Sequence, residues 1–262
     1  MIATASDLVV LRSSRFDEIA PVYDETRGGE KRGDEYADDI DRLLPRGSGI
    51  VLEIGVGTGV VSLGLRKRGR TVAGVDLSGP MLAHGAARLG PCLARGDALR
   101  LPVRTAGVDH AVAIWVIHDV ADPDRLLQEA SRVVRPGGNL VVSDLQVPVR
   151  DDPIGRILGE LIDRLHAQHA GVQPHGLKGQ DILELAAPHG FRGEVVRVER
   201  SWTSHPGYEL HSIRNRAWSA LRRLGDEDYT AIAGPAIAAL ERLPQEETTQ
   251  RAWTEFAVMT RA

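Results

Sequence analysis

The chain has 262 residues, of which 42% are hydrophobic and 26% charged, and it carries a net charge of −4. That length suffices for one large domain, or for a core domain with an added cap. The acidic balance argues against a nucleic-acid scaffold, because neutralising phosphates requires a basic surface.

Residues 1–46 are polar and helix-prone. Their only apolar run, Leu8 to Leu11, is flanked by Asp7 and Arg12 and is too short for the core of a signal peptide. The acidic run from Asp34 to Asp41 is expected to be a solvated helix face. From 50 to 144 short apolar runs alternate with amphipathic stretches. Residues 50–54, 71–75, 92–94, 111–114 and 140–142 read as buried strands, and 60–68, 80–88 and 122–134 as helices. Strands alternating with helices predict a parallel sheet covered on both faces. The basic group Arg66, Lys67, Arg68 and Arg70 falls at the end of a predicted helix, where cations complement the dipole.

Beyond Asp144 the alternation stops. Helices are expected over 153–168 and 179–189, a strand over 194–200, helices over 205–223 and 226–243, and a last strand over 253–260. Helices inserted late in such a chain suit a lid over the carboxyl edge of the sheet. Of the eleven aromatic residues only Trp115 falls within 50–144, so the others are candidates for lining a pocket or for packing between cap helices. Cys92 is the sole cysteine, which excludes a disulfide within the chain. No stretch approaches the roughly 20 apolar residues of a membrane span. A soluble, cytoplasmic protein is the expectation.

The decisive pattern is Glu53-x-Gly55-x-Gly57-x-Gly59, a glycine-rich turn directly after the first buried strand. Glycines there let the backbone turn sharply and approach a ligand. A dinucleotide site places its third glycine three residues after the second, where this chain has Val60. The spacing found instead resembles the first motif of class I S-adenosylmethionine-dependent methyltransferases, of the small-molecule "methyltransferase domain 11" type. The likeness continues through Asp76 at the end of the second strand, Gly96-Asp97-Ala98 after the third and Trp115 to Val120 after the fourth. It closes with Pro136 to Asp144, and it also covers the N-terminal stretch Phe16 to Arg27.

The resemblance implies a Rossmann-like, doubly wound α/β fold. Its seven-stranded sheet would be mostly parallel with the last strand antiparallel, under a helical cap. The divisions expected are N-terminal cap helices at 1–46, the cofactor-binding core at 47–145, a helical lid at 146–190, and C-terminal strands with inserted cap helices at 191–262. The cofactor implied is S-adenosyl-L-methionine, held by Glu53, Gly55, Gly57, Thr58, Gly59, Leu77, Met81, Gly96, Ala98 and Trp115. Asp76 would accept hydrogen bonds from the ribose hydroxyls and Asp97 would bind the adenine amino group. Tyr23 and Arg27 would lie over the methionine end, where the arginine fork suits a carboxylate.

The acceptor implied is a small organic metabolite, a natural product among the candidates, methylated at oxygen, nitrogen or carbon by in-line displacement. Enzymes that keep this cofactor for other chemistry, such as cyclases or decarboxylases, are the alternative. His118 is the candidate catalytic residue, as proton acceptor or to orient the acceptor, because it follows the fourth strand and histidine titrates near neutrality. Asp119 stands where relatives often carry a second histidine. Tyr23, His118, Trp202, Tyr208 and Trp218 are the candidate acceptor contacts. His166, His169 and His175 form a histidine group without a supporting cysteine or acid motif, so no metal is expected. Neither a nucleic-acid nor a membrane partner is expected, and a homodimer is left open.

Overall fold

The computed structural model describes residues 16–47, 49–168 and 176–262. Leu8 to Leu11, His169 and His175 fall outside them. In chain order the elements are α1 (Tyr23–Arg27), α2 (Gly29–Leu43), β1 (Ile50–Ile54), α3 (Val60–Lys67), β2 (Thr71–Asp76), α4 (Gly79–Leu89), β3 (Leu93–Arg95), β4 (Val108–Ile114), α5 (Pro123–Val133) and β5 (Val134–Ser143). There follow β6 (Gln146–Pro148), α6 (Pro153–Gln168), α7 (Gly179–Ala186), β7 (Phe191–Ser204), α8 (Pro206–Arg214), α9 (Ser219–Arg222), α10 (Asp226–Arg242) and β8 (Thr248–Arg261).

The chain divides into two compact units. Of the described residues, the first comprises those in 16–144, 178–196 and 256–262, and the second those in 145–168, 176–177 and 197–255. The N-terminal helices therefore belong to the same unit as the sheet. The predicted lid boundary at 190 moves to 177, because α7 packs against α5 in the first unit.

In the first unit β1, β2, β3, β4 and β5 are parallel in the order β3-β2-β1-β4-β5, and β8 pairs antiparallel with β5 through residues 257–260. β7 pairs with β8. The mostly parallel sheet with an antiparallel final strand is thus present. Among the described residues the sheet has eight strands where seven were expected, the addition being β6. Val51, Leu52, Ile54, Ala111, Val112, Leu140 and Val141 are buried, as continuous apolar runs covered on both faces must be. Helix starts follow local chemistry. Ser78 accepts from Met81 N ahead of α4, Asp122 accepts from Arg125 N ahead of α5, and a proline lies in each first turn.

The acidic run on α2 is only partly a solvated face: Asp34 and Asp38 stay half-exposed, whereas Asp39 is buried and Asp41 is mostly covered. Tyr36, Ala37 and Ile40 are fully buried, and Gly33 and Gly64 bring α2 and α3 into close approach. Asp34 accepts from Arg68 at 2.6 Å and Asp41 from Arg70 at 2.6 Å. Arg70 also donates to the carbonyls of Asp41 and Pro45, satisfying acceptors at the helix end. Lys67, Arg68 and Arg70 thus pair with acids of α2, while Arg66 donates to the carbonyls of Arg88 and Leu89.

In the second unit α6, α8, α9 and α10 enclose an apolar core that includes Leu161, Leu165, Ile213, Leu221 and Leu240. β6 pairs antiparallel with residues 252–254 of β8. The helix expected over 205–223 is interrupted between α8 and α9, where Arg216 adopts a positive φ of 49°. No described helix is long and apolar enough to cross a membrane.

Candidate functional site

The strand order reverses between β1 and β4, which is where parallel sheets of this kind open a crevice at their carboxyl edge. A cavity occupies that edge, lined by Gly55, Gly57, Asp76, Leu77, Met81, Gly96, Asp97, Ala98 and Trp115 among others, every residue of it in the first unit. Two glycines of the turn have different physical reasons. A Cβ on Gly55 would lie 2.5 Å from Val116 Cγ2, so this position is closed by packing. Gly57 has φ +53° and nothing within 4 Å of where its Cβ would project, so a side chain there would fill open cavity.

Asp76 is held by its own turn. Oδ2 accepts from Gly57 N at 2.8 Å and Oδ1 from Ser78 N at 2.8 Å. A carboxylate has about four acceptor positions, so each oxygen keeps capacity for a further donor. Burial pushes the Asp76 carboxyl up, opposed by these backbone donors. Asp97 is fixed in the same way, accepting from Leu99 N at 2.9 Å. Oriented carboxylates beside apolar Leu77, Met81 and Leu99 suit a ligand with hydroxyls, an amino group and a flat apolar ring.

Several expected contacts are placed elsewhere. Glu53 is buried and does not line the cavity; its Oε2 accepts from Ser62 Oγ, tying β1 to α3. Burial pushes its carboxyl up to about 8. Thr58 is also buried, donating to Asp24 at 2.6 Å, and Gly59 begins α3 outside the lining. Arg27 lines a neighbouring recess with Tyr23, Arg32 and Trp115.

The N-terminal segment is fastened to the core by acids that sequence reasoning did not single out. Asp17 accepts from Ser78 Oγ, and Asp24 pairs with Arg88 at 2.6 Å. Phe16 and Tyr23 thereby line the cavity. Burial raises the Tyr23 pKa, leaving a neutral phenol. Trp115 carries a positive φ of 54°, uncommon for a bulky residue and a mark of functional strain. It is held by Arg32, whose guanidinium lies 3.6 Å from the ring centroid, and by Tyr36, edge-on at 4.2 Å. Burial lowers the Arg32 pKa. The spacing of Arg32 and Tyr36, one turn apart on α2, was the available signal for this cage.

His118 sits between two carboxylates, with Nδ1 2.6 Å from Asp144 and Nε2 3.2 Å from Asp119. Burial pushes the imidazole down, but hydrogen bonds and charge from Asp119 and Asp144 override it and raise the pKa to about 10. An imidazole already protonated at neutral pH has no free lone pair with which to take a proton, so the general-base expectation for His118 does not suit this geometry. Nor does His118 line the cavity, whereas Asp119 does.

The methyltransferase-domain family matches residues 52–142, which span β1 to β5. Over those residues the chain is similar to methyltransferases that use S-adenosylmethionine. The chain is 39% identical over 139 residues to a demethylmenaquinone methyltransferase of Mycolicibacterium paratuberculosis, an alignment covering 52% of this chain and 60% of that relative. Among solved structures, a possible histamine N-methyltransferase of Thermotoga maritima superposes with a TM-score of 0.56 at 20% identity, over 94% of this chain and 98% of the other. The cyclase SpnF superposes with a TM-score of 0.55 at 18% identity, over 95% of each chain. These two share the fold of this chain.

The remaining candidates lie in the second unit. Trp202 and Tyr208 are exposed there, Tyr208 at 68%, and Trp218 packs against the helical core. Among the described residues no group of acids, histidines and cysteine is placed to hold a metal ion.

Proposed function

We propose that the protein transfers the methyl group of S-adenosylmethionine to a small organic acceptor. The observation that carries this reading is the Asp76 carboxylate, aimed by the amides of Gly57 and Ser78 into a cavity whose glycine wall leaves space for a ligand. When bound, the cofactor supplies an electrophilic methyl carbon on a sulfonium. Asp76 would hold the ribose and Asp97 the adenine amino group, with Leu77, Met81 and Ala98 against the ring. Tyr23 and the caged Trp115 would bound the methionine end, with Arg27 and Arg32 as the arginines able to meet its carboxylate. Phe16 and Tyr23, fastened through Asp17 and Asp24, would exclude water and align acceptor and methyl, a positional effect worth several kcal/mol.

The chain spans about 60% of the length of the demethylmenaquinone methyltransferases it matches. Demethylmenaquinone, the acceptor in those relatives' name, is the first acceptor to test, and natural products more widely the second. Trp202, Tyr208 and Trp218 are carried as acceptor contacts on sequence grounds alone, and a cytoplasmic location likewise. The experiment is incubation with methyl-labelled S-adenosylmethionine and candidate acceptors, following label transfer and S-adenosylhomocysteine release. Because SpnF shares this fold, a second reading is a cofactor-retaining enzyme of other chemistry. Acceptor turnover without S-adenosylhomocysteine release would select it.

A further inference from the structure

Beyond the ends of β4 and β5 three ionisable groups form a line. Asp144 has no exposed side-chain surface, His118 is 14% exposed, and Asp119 is 14% exposed and lines the cavity. A buried carboxylate on one imidazole nitrogen and a cavity-facing carboxylate on the other is the arrangement of a clamp. The ring, donating through both nitrogens, holds the outer carboxylate in one orientation. Burial opposes a charged imidazole, and the two acids outweigh it. With all three groups ionised the line carries one net negative charge, and its only cavity-lining member is Asp119.

Resting on the S-adenosylmethionine reading above, we infer that Asp119 is the catalytic residue facing the transferring methyl and a hydroxyl-bearing acceptor, and that His118, anchored on Asp144, positions it. The acceptor oxygen forms the new bond to the methyl carbon, and the electron pair of the breaking carbon–sulfur bond stays on sulfur. The hydroxyl proton passes to Asp119. A carboxylate suits this role even beside an imidazolium, because an alcohol or phenol oxygen becomes strongly acidic as the bond to carbon forms. The charges close: the negative line and the sulfonium are neutralised in the same step. An amine acceptor needs no such group, since attacking as the free base it yields an ammonium stable near neutral pH. The Asp119 position therefore favours oxygen over nitrogen acceptors.

Binding alone tests the placement. Sinefungin carries a protonated amine where S-adenosylmethionine carries its methyl, while S-adenosylhomocysteine is neutral there. The two ligands are titrated calorimetrically into the wild-type chain and into the Asp119→Asn and His118→Gln variants. Asp119→Asn should weaken sinefungin at least tenfold, the scale of a hydrogen bond to a charged group, and leave S-adenosylhomocysteine within about twofold. His118→Gln should lower the sinefungin preference by a smaller factor, through lost alignment of Asp119. Histidine-labelled wild-type protein should show two ring N–H resonances for His118 at about pH 8, a signature that needs no variant.

An unchanged ratio of the two affinities in a folded Asp119→Asn, or a single ring N–H for His118, overturns the inference while leaving the cofactor reading intact. Failure of the wild-type chain to bind either nucleoside overturns the cofactor reading itself. Should Asp119→Asn not fold, His118→Gln carries the same comparison, and an unchanged ratio there overturns the positioning role.

Discussion

Replacing Asp76 by alanine tests the ribose assignment. The carboxylate accepts from Gly57 N and Ser78 N at 2.8 Å each and has one further acceptor position on each oxygen. A hydrogen bond from a ligand hydroxyl to a charged group is worth about 1.5–3 kcal/mol, so losing one contact weakens binding roughly 10- to 150-fold. A second contact, and loosening of the turn that carries Gly57, push the loss towards several hundredfold. The assay is calorimetric titration with S-adenosylhomocysteine, alongside thermal unfolding to establish that the variant is folded. The fold should survive, because β2 is held by its neighbours β1 and β3 through backbone pairing that the side chain does not enter. An unchanged dissociation constant in a folded variant refutes both the contact and the direction in which Asp76 is read as pointing.

Gly57→Val should abolish binding of S-adenosylhomocysteine, since its side chain would occupy open cavity, with a modest stability cost from φ +53°; calorimetry and melting together separate the two effects. Glu53 has a folded-state pKa near 8 against 4.5 unfolded, so the folded state binds the extra proton. Its stabilising contribution is complete below about pH 4.5 and declines as pH rises through 8. Glu53→Gln, which keeps a partner for Ser62, should flatten that part of the melting profile, and an identical slope in both proteins would disprove it. Arg70→Ala removes a buried ion pair and caps on the end of α2, and should cost about 3 kcal/mol in denaturant unfolding. A loss of a few tenths would return Arg70 to a surface role.

The sequence alone determined the sheet and the position of the cavity. Short, mostly apolar runs at 50–54, 111–114 and 140–142, alternating with amphipathic stretches, read as strands buried on both faces. The spacing of Gly55, Gly57 and Asp76 expresses backbone geometry within a few residues of each other or one strand apart. Such signals are local, and local periodicity survives folding. The structure alone decided which groups share an environment. Glu53 reads as a ligand contact until Ser62, nine residues later and one turn into α3, claims its carboxyl. The acids of α2 read as unpaired until Arg68 and Arg70 arrive from beyond α3 to bind Asp34 and Asp41. His118 reads as a base until Asp144, at the end of the adjacent strand, is brought within 2.6 Å. Periodicity reports which face of an element is apolar, whereas protonation and charge pairing depend on distances between residues far apart in the chain, and only tertiary packing sets those.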